Sequence, residues 1–114
     1  AVTAMSALSE SAPWRDVVWP DQRFHRAIVD ATNSPRLSRA YQGLQSEIVL
    51  CLAQLRPVYD APAEVAAEHE ELLKPIISGD VEQAEELFRT HLIEAAENLI
   101  GLHQERSQEA EPGA

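Results

Sequence analysis

The sequence predicts an all-α fold, an antiparallel helical bundle, and three observations carry that expectation. Apolar residues recur at three- and four-residue intervals along almost the whole chain. Strictly alternating β-branched and aromatic runs, the mark of half-buried strands, do not occur. Turn-forming residues separate the periodic segments, at Asn33-Ser34-Pro35, between Arg56 and Pro62, and at Gly79-Asp80. With 114 residues, 45% of them hydrophobic and 25% charged, the chain has the size and composition of one domain around one core.

The elements follow in order. Residues 3–11 read as a helix fragment. The stretch from Ser11 to Pro20 holds Pro13, Trp14, Trp19 and Pro20 and reads as a loop anchored by two indoles, so residues 1–20 form a partial helix and a Trp/Pro loop. A short helix is expected over 21–32, with Asp21 in the first turn, where a carboxylate complements the helix dipole. Ser34 is a good N-cap and Pro35 suits the first helical position. The helix they start runs to about Arg56, with Leu37, Tyr41, Leu44, Ile48, Cys51 and Leu55 at steps of 4, 3, 4, 3, 4 along one packing seam. Cys51 on that seam reads as a small core hydrophobe. A third helix covers 63–78, is kinked by Pro75 and ends at Gly79. Asp80 caps the fourth, with Gln83 as its capping-box partner. That helix reaches about His103, and Ala84, Leu87, Phe88, His91, Leu92, Ala95, Leu99 and Leu102 face inward. Residues 21–104 make up the helical domain; 105–114 are polar, lack an apolar anchor, and are expected to be disordered.

Charge and composition exclude several function classes. Nine basic against 19 acidic residues give a net charge of −10, which repels a phosphate backbone. The single cysteine permits neither an internal disulfide nor a Cys-based zinc motif. No apolar run is long enough to span a membrane, and the N-terminal residues carry no signal-peptide pattern. The four glycines are scattered, so phosphate-cradling glycine loops are absent. A cytoplasmic protein with no membrane partner is the expectation.

Three of the four histidines sit in apolar registers. Asp21 and His25 are spaced i, i+4 and share a helix face. His69 shares a face with Val65, Leu72, Leu73 and Ile76; His91 lies between Phe88 and Ala95. Three helices thus each direct an imidazole, and one adds a carboxylate, toward a common interior. Imidazole nitrogens with one carboxylate suit a divalent transition metal such as zinc, nickel or manganese. His103 lies about 120° around the fourth helix from His91 and is not in the set. Enzyme motifs are missing: Leu73 occupies the second histidine position of HExxH, and no glutamate precedes a histidine by three residues. No catalytic residue is assigned.

The stretch Asp21-Gln22-Arg23-Phe24-His25-Arg26-Ala27-Ile28, with Asn33-Ser34-Pro35-Arg36-Leu37 after it, resembles the first motif region of the FadR C-terminal (FCD) domain, the effector-binding half of GntR-family transcriptional regulators. Glu68-His69, Leu72-Leu73, Ile76, Gly79-Asp80, Ala84, Phe88 and His91-Leu92 resemble its later region in type and spacing. The likeness spans about residues 17–102. It implies that Asp21, His25, His69 and His91 bind the metal, zinc first among the candidates. It also implies a ligand-sensing, dimerising domain whose metal anchors a small organic acid effector. Arg23 and Arg26, beside the first motif, are candidate partners for the effector's carboxylate. The family contacts operator DNA through a winged helix-turn-helix, which has no counterpart here. The domain's first helix is short or missing, and Pro75 stands where the family has alanine. The chain thus reads as part of a longer regulator and not as an enzyme. The rival reading is a small helical metal-dependent hydrolase, which requires a carboxylate placed as general base beside the metal.

Overall fold

A computed structural model describes residues 1–9, 11–59 and 61–110. They form helices α1 (Val2–Ser6), α2 (Arg15–Ala31), α3 (Pro35–Gly43), α4 (Gln45–Gln54), α5 (Pro62–Ser78) and α6 (Val81–Ala110), with a 3-10 turn over Arg56–Val58. No strand occurs among the described residues, so the all-α expectation holds. The chain divides into two compact units, Ala1–Glu71 and Leu72–Ala114.

In the first unit α2 is the central element, packed against α1, α3 and α4. Its start corrects the sequence reading: the helix begins at Arg15, and residues 15–20 are not a loop. Pro20 inside it removes the amide that would bond to the Asp16 carbonyl, at a cost of about 3 kcal/mol. Val17, Val18 and Phe24 are buried on the same helix. At about 1.5–3 kcal/mol for each buried side chain, their burial outweighs the proline. Only one indole anchors this region. Trp14 donates its Nε1–H to the Leu52 carbonyl at 2.9 Å and stacks on Tyr59, whereas Trp19 is 53% exposed. Met5, Val17, Val65 and Ala66 form the buried core of this unit, with Val2, Leu8, Trp14 and Tyr59 packed on it.

The break after α2 is as predicted. Asn33 takes a left-handed φ of 55°, Ser34 accepts the Leu37 amide at 3.3 Å, and Pro35 opens α3. The single helix expected over 34–56 is instead two, parted at Leu44 (φ −98°, ψ −1°) directly after Gly43. Glycine is the weakest helix former after proline, and here it ends α3. The seam is broken with it. Leu37 and Leu44 are more than half exposed, Cys51 is exposed and not a core residue, and only Leu55 of the seam is buried.

The second unit holds the last turns of α5, the Gly79-Asp80 turn and α6. Gly79 adopts φ +78°, which a side chain would strain, and Asp80 Oδ1 accepts the Gln83 amide at 3.1 Å. α5 remains helical through Pro75. Along α6 the predicted inward positions are partly buried, except Leu92, which is 58% exposed. Ile76 is likewise 42% exposed. α6 extends to Ala110, correcting the disordered tail over 105–110, where glutamate, glutamine and arginine are good helix formers. Residues 111–114 of that expected tail lie outside the described residues. No described helix is long and apolar enough to cross a membrane.

Candidate metal centre

The first unit brings Asp21, His25 and His69 together. Asp21 and His25 project from one face of α2, with Asp21 Oδ1 and His25 Nε2 3.2 Å apart. His69 reaches them from α5, with its Nε2 3.4 Å from Asp21 Oδ2 and 3.3 Å from His25 Nε2. Phe24 sets its ring edge-on to both imidazoles, at centroid distances of 5.2 Å (His25) and 4.8 Å (His69). His69 is fully buried and Asp21 is 6% exposed.

Proton placement follows from the partners. His69 Nδ1 lies 2.8 Å from the Val65 carbonyl, which only accepts, so Nδ1 carries the hydrogen. In neutral His69 the Nε2 lone pair therefore faces Asp21 Oδ2 and His25 Nε2. Asp21 Oδ1 is buried and, among the described residues, receives no directed hydrogen bond despite the nearby imidazole. The Asp21 carboxylate and the His69 Nε2 lone pair, both acceptors, favour a positive charge beside them. Burial alone would raise the Asp21 pKa, but the His25 and His69 imidazoles outweigh it and hold the carboxyl well below its usual range. Burial would lower the pKa of His69, but Asp21 outweighs it and shifts the imidazole upward. Both shifts express the same preference for positive charge at this point.

The donor set fits a divalent metal. Ligand atoms on a tetrahedral zinc with bonds of about 2.0–2.1 Å stand roughly 3.3–3.4 Å apart. The His25 and His69 Nε2 atoms stand 3.3 Å apart, and Asp21 meets them through its two different oxygens, Oδ1 at 3.2 Å from His25 and Oδ2 at 3.4 Å from His69. The Val65 carbonyl fixes the His69 tautomer, as partners of metal-binding imidazoles commonly do.

The remaining expected residues are described by their own elements. His91 stands on α6 in the second unit and is partly buried. His103 is exposed. Arg23 is exposed, and Arg26 pairs with Asp30 on its own helix, Nε to Oδ2 3.6 Å. Sequence reasoning did not single out Gln22, which is 2% exposed and accepts the Tyr41 hydroxyl at 2.9 Å through Oε1. Nor did it find the Val65 carbonyl. Spacing offers a signal for that bond, because a helical histidine can reach the carbonyl four residues before it.

Comparison with curated proteins and with solved structures returned no match. The FCD domain profile matches residues 1–94. That span contains Asp21, His25, His69 and His91, and both motif regions, and the chain belongs to the FCD family, the effector-binding domain of GntR-family transcriptional regulators.

Proposed function

We propose that this chain is the ligand-sensing and dimerisation domain of a FadR-subfamily regulator, in which Asp21, His25, His69 and His91 hold a divalent transition metal. Zinc is the first choice and nickel or manganese the next. The observation that carries the reading is the convergence of the Asp21 carboxylate with the His25 and His69 imidazoles, whose Nε2 atoms stand at the spacing of two zinc ligands, with the His69 tautomer held by Val65. His91 is offered as the fourth ligand on its register beside Phe88 and Ala95. A metal held there by four protein ligands would take up the oxygens of a small organic acid by expanding to five or six ligands. Asp21 contributes the negative charge that offsets the cation, and Phe24 restricts rotation of both imidazoles. Sensing is favoured over hydrolysis by the acidic neighbours of His69. Glu68 accepts the Tyr59 hydroxyl at 2.9 Å, and Glu70 is exposed. Operator DNA would be contacted by a winged helix-turn-helix outside these residues. Given their positions, Arg23 and Arg26 are weaker candidates for effector contact than the metal.

The test is zinc titration by calorimetry, with metal content measured after dialysis. Wild-type protein should retain about one equivalent. His69→Ala and His91→Ala should lose it, and His103→Ala should not. Affinity should fall as pH drops, beginning above the ordinary imidazole value of about 6.5, because ligating imidazoles must be unprotonated and Asp21 shifts His69 upward. A panel of mono- and dicarboxylates then follows by thermal melting. A ligand at about 100 times its dissociation constant adds roughly 2.7 kcal/mol. A ligand shift that survives chelation unchanged would refute the metal as anchor, and failure to bind any divalent metal would refute the centre itself.

A further inference from the structure

The first unit also holds a cleft of about 450 Å³ between the start of α2, α4 and the 3-10 turn. Trp14, Arg15, Val18, Trp19, Val49 and Arg56 are among the residues that line it. Both tryptophans of the chain are here, and so are two of its nine basic residues, in a protein of net charge −10. Trp14 is a rigid wall, because the Leu52 carbonyl holds its N–H and Tyr59 stacks on its ring, 5.7 Å between centroids. Trp19 is a large aromatic left 53% exposed. Among the described residues Arg15 makes no ion pair, and the guanidinium of Arg56 donates to the Tyr59 carbonyl, at 3.1 Å, and to no carboxylate.

A second cleft, of about 310 Å³ between α2 and α3, shows by contrast what matters. Its lining includes Ile28, Leu37, Tyr41 and Leu44 and no charged residue, and its Tyr41 hydroxyl is committed to Gln22. It offers a ligand nothing that fixes orientation. The Trp/Arg cleft offers both an apolar aromatic wall and two cations. Its volume falls within the roughly 300–1,000 Å³ usual for small-molecule sites. Indole faces favour flat rings, and guanidinium groups match carboxylates in geometry.

We propose that this cleft is a second ligand site, independent of the metal centre, that takes a flat aromatic carboxylate with its ring against Trp14 and Trp19 and its anionic group at Arg15 and Arg56. The proposal does not rest on the metal reading. The probe is 2-naphthoate, titrated into the 15N-labelled full chain while the two indole N–H signals are followed, Trp19→Phe assigning them. Saturable movement of the Trp19 signal is expected, with a smaller shift at Trp14, whose N–H is already bonded. Arg15→Gln and Arg56→Gln should each weaken binding about two- to fivefold, the range of an exposed ion pair, and the double variant more. Circular dichroism checks that each variant remains helical. Binding should survive chelation and His69→Ala. Equal binding of neutral 2-naphthamide would overturn the proposal, as would loss of binding on chelation. So would indole shifts that follow protein concentration without probe, which would put a second copy of the chain in the cleft.

Discussion

Helix α2 and the stretch 35–55 invert what their sequences suggest. α2 carries an internal proline, lacks a side-chain cap and places Asp21 and Gln22 among its buried residues, yet it is the centre of its unit. Residues 35–55 carry the most regular apolar spacing in the chain, yet neither α3 nor α4 has a buried residue. Regular spacing makes a face, but burial depends on whether another element meets that face. α2 is met by α1, α3 and α4, and by His69 from α5. It can therefore carry polar groups into the interior, which is where a binding centre needs them.

The largest effect that tests this contrast is truncation on each side of it. Phe24→Ala, at a buried position on α2, should destabilise by about 3–5 kcal/mol in urea unfolding. Leu44→Ala, at a position 55% exposed on the supposed seam, should cost roughly 0.5 kcal/mol or less. Equal losses would mean that the seam is a core after all.

A smaller effect lies at high pH. Burial and the Glu68 carboxylate push the Tyr59 phenol well above the ordinary tyrosine value. A raised folded pKa gives stability that is complete below the unfolded value of about 10 and is lost as pH rises past it toward the folded one. Thermal melts should therefore fall as pH climbs above about 10, and Tyr59→Phe should flatten that decline. A Tyr59 that ionises at the ordinary value in ultraviolet titration would remove the argument.

The polar interior of α2 can be probed at Gln22, whose Nε2 is buried without a hydrogen-bond partner among the described residues. Gln22→Leu removes that orphan, and the partly buried Tyr41 hydroxyl can turn to water. Stability should stay within about 1 kcal/mol of wild type, on the stabilising side, in the same urea assay. A loss of several kcal/mol would show that the amide has a partner essential to the fold. The smallest expected effect is at the α3–α4 break. A Cβ on Gly43 meets nothing within 4 Å, so Gly43→Ala should raise stability by about 0.4–1 kcal/mol. Destabilisation there would show that the break is required.

Signals that depend on a few neighbouring groups are mostly legible in the chain, the Gly43 break between α3 and α4 being the exception. The Ser34-Pro35 start, the Gly79 stop and the Asp80 cap depend on a few backbone groups and one side chain, all within four residues. The Asp21–His25 pair is equally local, because i, i+4 spacing alone puts both on one face. Membership in the FCD family was likewise legible from two motif regions. The start of α2 at Arg15 was not, because the burial that outweighs Pro20 comes from other elements. The exposure of Trp19, Cys51 and Leu44 was hidden for the same reason, since a residue's register does not say whether anything lies opposite it. The approach of His69 to Asp21 crosses 48 positions of sequence, the difference between 69 and 21. Registers nominated both residues, but only the packing of α5 against α2 brings the imidazole within 3.4 Å of the carboxylate. Spacing along one helix is set by covalent geometry, whereas distance between helices is set by the side chains that fill the space between them.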